Sequence, residues 1–206
     1  QEIVRMKNAE LRADCEVLVD ALIENLNYDG ESITGASYEE AIVFSRYAEF
    51  LIAKLEIPDI KLYMLCERAG NFYRIIGNLS QAMENFRLGN ALSKLLLAQA
   101  PSNPDYKHGL AISYGKLGGI YTSLGDLGQA LDNFEQFNRL EKELYSNYPR
   151  NANFINGLAA SSSNVGDTHR MMGNLDKALT FFEESSRLIR ELYEASSKNE
   201  FKNRDR

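Results

Sequence analysis

The residues able to do chemistry in this chain are few, and their spacing does not suit it. Two histidines, His108 and His169, stand 61 positions apart. No His-x-Glu, His-x-x-x-His or Cys-x-x-Cys spacing exists to hold a metal ion. His108 lies close to Asp105 at the start of a helical pattern, where a solvated side chain is expected. His169 fills an aromatic slot described below and is expected as a half-buried packing residue. Cys66 also falls in that patterned stripe, where a buried, inert thiol is expected rather than a nucleophile. Glu183-Glu184 and Glu141/Glu143 read as helix-surface carboxylates without the cleft that a general acid and base would share. Gly115, Gly118 and Gly119 lie inside a helical pattern with no strand before them, so they make no phosphate loop. The sequence therefore assigns no catalytic, cofactor-binding or metal-binding residue, and the segment is expected not to be an enzyme.

Composition narrows the function classes further. The 206 residues carry 23 Lys+Arg against 29 Asp+Glu, a formal net charge of -6. Nucleic-acid binding usually needs a basic face that displaces counterions, so no nucleic-acid partner is expected. No apolar run approaches the roughly 18 residues needed to span a bilayer, and no membrane partner is expected. Two cysteines, Cys15 and Cys66, cannot build a disulfide framework, which points to a reducing, cytoplasmic setting. The chain opens on Gln1 rather than Met, as a piece of a larger protein would.

What the sequence does carry is an internal echo. The blocks Gly77-Asn78-Leu79-Ser80-Gln81-Ala82, Gly125-Asp126-Leu127-Gly128-Gln129-Ala130 and Gly173-Asn174-Leu175-Asp176-Lys177-Ala178 recur every 48 residues. Each is followed at the same offset by Phe86, Phe134 or Phe182, and preceded seven residues earlier by Gly70, Gly118 or Gly166. Gly109 to Phe134 matches Gly157 to Phe182 at 10 of 26 positions, which chance does not readily give. The chain is a repeat array. In each block the glycine suits a left-handed helix C-cap, and the Asn or Asp after it suits an N-cap, so the block predicts a tight turn between antiparallel helices. Gln81 and Gln129, three residues past their caps, are expected to complete capping boxes, as is Glu40 after Ser37. The four prolines, Pro58, Pro101, Pro104 and Pro149, all fall between the hairpins.

Apolar residues at three- and four-residue steps fill the intervals. The pattern predicts eight helices over about 3–27, 37–56, 59–76, 79–99, 104–124, 127–147, 152–172 and 175–197. They form one repeat domain over 1–206: a diverged first hairpin at 1–57, repeats at 58–101, 102–149 and 150–197, and a polar, fraying tail at 198–206. The first hairpin joins its helices by a longer loop, Asn27 to Ala36.

Gly118, Tyr121, Gly125, Ala130 and Phe134 stand at the spacing of a tetratricopeptide (TPR) repeat, as do Gly70, Tyr73, Gly77, Ala82 and Phe86. Gly166, Gly173, Ala178 and Phe182 do so again. The chain resembles that family over about residues 60 to 195, in a long-period form of bacterial type. Its period of 48 exceeds the usual one of about 34, so both helices of each hairpin are longer. The family's tryptophan position holds Cys66, Tyr114 or Ser162. The resemblance implies an all-α fold, a right-handed solenoid of four helical hairpins whose first helices line a concave groove. It also implies a non-catalytic scaffold, part of a larger bacterial protein, that binds a peptide or protein there without cofactors.

Carried over by spacing, the groove positions include Glu67, Arg68, Asn71 and Arg74 in the second repeat. The third contributes Lys116, with the small Gly115 and Gly119 one turn apart, and the fourth contributes Asn164, Asp167 and Arg170. The arginines and Lys116 suit an acidic peptide, unless Glu67 and Asp167 neutralise them. Glu67 and Ala160 stand where family members that grip chaperone C-termini place lysines, which argues against that clamp. At the array's end, Phe181 replaces Asn85 and Asn133 of the preceding repeats. With Leu188 and Leu192 it suggests an apolar terminal interface, for a further repeat or a second copy of the chain. A structural or oligomerisation module working through its terminal helices is therefore the second functional expectation.

Overall fold

In the computed structural model, the described residues are 17–27, 37–54 and 60–204. Cys15 and most of the expected first loop lie outside them. The described residues contain helices and no strand, so the fold is all-α. The helices are α1 (17–25), α2 (Tyr38–Lys54), α3 (Ile60–Ile75), α4 (Leu79–Gln99), α5 (Pro104–Ser123), α6 (Leu127–Asn147), α7 (Ala152–Met171) and α8 (Leu175–Arg204). The end of α8 departs from expectation, since the polar tail continues the helix to Arg204 instead of leaving it near residue 197.

The 48-residue echo marks one piece of local geometry made three times. Gly77, Gly125 and Gly173 have φ of 77°, 77° and 80°, the left-handed region that only glycine enters at little cost. Each closes its helix by the same two bonds. The glycine N–H donates to the carbonyl three residues back, and the next N–H donates five residues back, from Asn78 to Tyr73, Asp126 to Tyr121 and Asn174 to His169. Asn78 and Asp126 then accept from the amides of Gln81 and Gln129 at 3.2 and 3.0 Å, starting α4 and α6.

The expected return bonds of the two glutamine boxes do not fit this geometry. The cap's own N–H is already donated to Tyr73 or Tyr121, so the chain reversal has taken the amide that the glutamine would reach. Ser37 and Glu40 have no such competition. There the box closes fully, with the Ser37 hydroxyl and amide donating to Glu40 at 2.7 and 2.9 Å. Those two bonds, the hydroxyl first, hold the Glu40 carboxyl below its ordinary range.

The second half of the echo is a packing rule. A Cβ added to Gly70, Gly118 or Gly166 would lie 2.5, 2.6 or 2.8 Å from a ring carbon of Phe86, Phe134 or Phe182. The missing methyl lets one helix of the hairpin lie on the aromatic ring of the other. Ala41, Ala82, Ala130 and Ala178, the small residues of the repeat block and of its diverged first copy, are all buried.

The chain divides into two compact units, Gln1–Gln99 and Ala100–Arg206. The first packs α3 against α2 and α4 around Leu65, Cys66, Ala69 and Phe72. The second is the array α5–α6–α7–α8, each helix packed on the next and α5 also touching α7. Leu188 of α8 closes a core cluster with Ile155, Leu158 and Ala159 of α7. It belongs to the core, not to the outer face expected for it, and Leu192 is half-buried against the same cluster. Phe181 is also partly covered, stacked on His169 with centroids 5.9 Å apart. In the fourth repeat, Phe replaces the earlier Asn where His replaces the earlier Tyr, so the two changes meet as one ring pair.

Candidate functional site

Unit two contains an opening of about 370 Å³ between the first helices of the third and fourth hairpins. Gly119 and Thr122 of α5 form one wall, and Asn164, Asp167, Thr168, Arg170 and Met171 of α7 form the other, with Phe134 of α6 between them. The wall residues recur at three- and four-residue steps, so each helix presents one face to the opening. The two glycines of α5 have opposite roles. A Cβ at Gly115 would meet the Phe137 ring at 2.9 Å, so Gly115 permits close packing, while a Cβ at Gly119 meets nothing within 4 Å. Gly119 opens the site.

The polar groups of the walls are mostly committed. Thr122 and Thr168 hydroxyls donate to the carbonyls of Gly118 and Asn164 at 3.0 and 2.8 Å, one turn back on their own helices. Arg170 lies on Asp167 with contacts of 2.9 and 3.3 Å. The charge pattern therefore follows the neutralised alternative in this hairpin. The Asn164 amide makes no hydrogen bond within the protein among the described residues, and it is the group best placed to meet a ligand's polar atoms.

Of the expected groove residues, Asn164, Asp167 and Arg170 come together here with Gly119, and Met171 is exposed beside them. Lys116 is half-buried one turn from Gly119. In unit one, Arg74 is exposed and Glu67 and Arg68 are half-buried, whereas Asn71 is fully buried at 0% and offers no surface to a partner. Phe134 and Thr168 complete the opening although the sequence did not single them out for it. Phe134 already had a sufficient explanation as a packing aromatic, and no pattern separates a ring that packs from one that also lines a space.

A second polar site overturns two expectations. Glu141 is not a surface carboxylate: it is 0% exposed, and His108 is not solvated but bonded through Nδ1 to Glu141 Oε1 at 2.7 Å. His108 also sets its ring edge against Phe154 of α7. The cause is Gly157, whose missing Cβ leaves α7 close enough to cover the Glu141 carboxylate. Burial pushes the Glu141 carboxyl above its ordinary range, and the hydrogen bond and charge of His108 pull it back. Glu141 Oε2 and His169 Nδ1 are both buried without a hydrogen-bond partner among the described residues. Cys66 matches its expectation: it is 0% exposed, and burial pushes its thiol up to about 12, so no thiolate forms near neutrality.

Residues 111–143 and 158–197 each match a tetratricopeptide repeat family model. The first stretch runs from α5 to α6 across the Gly125 turn and the second from α7 to α8 across the Gly173 turn. Each of these two hairpins is thus similar to a tetratricopeptide repeat. Among solved structures, BtubC (BKLC) from P. vanneervenii superposes with a TM-score of 0.63 over 92% of this chain and 77% of that one, at 14% identity. That likeness is one of fold. A Podosopora anserina putative kinesin light chain with nearly identical TPR-like repeats aligns at a TM-score of 0.41 and 13% identity, over 88% of this chain and 96% of that one. No curated protein matches the sequence. Both TPR matches cross a hairpin whose first helix lines the opening. TPR hairpins generally mediate contacts between proteins, and the described residues contain no helix long and apolar enough to cross a membrane.

Proposed function

We propose that the chain is a non-catalytic protein-interaction module that takes a peptide segment of a partner into the opening between α5 and α7. The observation that carries this reading is Gly119. It is the one α5 glycine at the opening with empty space in front of it, and it faces an Asn164 amide that is free to bond a peptide group. An opening of about 370 Å³ is at the small end of ligand pockets and suits one or two side chains rather than a cofactor. With Arg170 held by Asp167, the ligand is selected by shape and amide bonding more than by net charge. A cytoplasmic location and a place within a larger bacterial protein belong to the same reading, supported by the cysteine content and the repeat type.

Filling the space tests it. Gly119→Leu should leave the helix intact, because glycine is the poorer helix former, yet abolish retention of any partner that wild type captures. Asn164→Ala should weaken the same partner at least tenfold, the loss of about 1.4 kcal/mol. A partner held equally by wild type and Gly119→Leu would move the interaction off this opening.

A further inference from the structure

We infer that a second copy of this chain packs against the exposed face of α8, the two α8 helices running antiparallel. The preceding hairpin shows the pattern with its cover in place. On α6, Leu127, Leu131, Phe134, Asn138, Glu141 and Tyr145 recur in alternating steps of four and three residues, a heptad seam. None of the six is exposed. Their cover comes largely from α7: Asn138 donates to the Ser161 and Ser162 hydroxyls at 3.1 and 2.9 Å, Glu141 lies under Gly157, and Tyr145 packs on the cluster around Leu158.

One repeat later the same six positions are Leu175, Leu179, Phe182, Ser186, Ile189 and Tyr193 of α8. Leu175, Leu179, Ile189 and Tyr193 are 65%, 58%, 51% and 73% exposed. Ser186 is exposed too, and only Phe182 is partly covered. The repeat has kept the seam and made it more apolar, with Ile in place of Glu141, but no helix of the described residues covers it. This face, rather than Phe181, Leu188 and Leu192, is the apolar surface of the last helix.

The register of the seam favours self-pairing. Antiparallel seams bring the two kinds of seam position opposite one another. Laid against itself, α8 sets Leu175 opposite Tyr193 of the second copy, Leu179 opposite Ile189, and the large Phe182 opposite the small Ser186. Asp176 and Arg190 flank the seam, each one residue beyond a seam position. Both are exposed, and neither forms an ion pair within the protein among the described residues. The antiparallel arrangement brings each close to the other's counterpart, making two Asp–Arg pairs by symmetry. Glu183 flanks the middle of the seam and faces its own copy, an unfavourable contact that Glu183→Gln would relieve.

Sedimentation of the full 206-residue chain tests the inference. Wild type should run at twice 23.3 kDa. Ile189→Asp/Tyr193→Asp should run as a monomer with unchanged helicity, since both side chains are exposed. Asp176→Arg and Arg190→Asp should each weaken the dimer at least tenfold, and the double charge swap should restore it. Gly119→Leu should leave the dimer intact, which separates this interface from the peptide opening. A wild-type monomer throughout its soluble range would overturn the inference and leave the seam to a helix of another protein. So would a dimer indifferent to the seam substitutions, or failure of the swapped pair to recover.

Discussion

Adjacent glycines of α5 show how one residue type does opposite work. Gly118 lies against the Phe134 ring and Gly119 faces open space. Gly118→Ala must push the ring or spread the hairpin and should lower unfolding free energy by about 1–3 kcal/mol. Gly119→Ala fills no contact and should raise it by about 0.5–1 kcal/mol through helix propensity alone. Denaturant midpoints of the two variants check the contrast, and a loss at both positions would deny the space in front of Gly119. Glu141 makes a pH-dependent prediction at the same scale. Its carboxyl is raised by burial, so the folded protein holds that proton more tightly than the unfolded chain does. The contribution to stability is fully present below the unfolded value of about 4.3 and is lost as pH climbs through the raised folded value. Stability of wild type relative to Glu141→Gln should therefore fall with rising pH across that window. A difference that stays flat would show that the carboxyl is not buried in solution.

At the scale of the element, each hairpin depends on one positive-φ glycine that ends a helix just before an N-cap begins the next. Gly173→Ala forces a Cβ into the left-handed region at φ 80° and should cost about 1–2 kcal/mol. Gly128, in the corresponding block of the preceding repeat, offers a control. It lies in the first turn of α6, where an added Cβ meets only Asp126 Oδ1 at 3.6 Å, so Gly128→Ala should be neutral or stabilising. Thermal unfolding of the pair separates a turn requirement from a general intolerance of larger residues. The same turns explain why the glutamine boxes stay half-formed: the closing bond of one helix uses the amide that the opening bond of the next would need.

At the scale of the molecule, the second unit contains the opening, the Glu141–His108 pair and the exposed seam. Its described helices pack each on the next within Ala100–Arg206. A protein of residues 100–206 should therefore be helical and melt cooperatively by itself, which circular dichroism would check. A non-cooperative melt would show that this unit depends on residues 1–99. The placement also keeps the two proposed interactions apart: the opening lies between α5 and α7 and the seam on α8, so neither is expected to block the other.

The sequence by itself determined the helices, their turns and the repeat, because the signals are local: a glycine and its cap lie side by side, and the Gly–Phe contact lies sixteen residues apart in each of three copies. The resemblance to tetratricopeptide repeats also named Asn164, Asp167, Arg170 and Gly119 as groove positions, and all four line the opening. Tertiary structure decided the rest. Whether Gly115 or Gly119 opens a space depends on which one Phe137 covers, and whether Glu141 is surface or core depends on the absent Cβ of Gly157 and on His108, 33 residues before it. On α8 the periodicity pointed Ile189 inward and Leu188 outward, and the structure reverses the two. Leu188 lies buried against α7, and Ile189 is left half exposed on the seam. A one-residue choice of face is set by the neighbouring helix, and a helix's own sequence does not contain its neighbour.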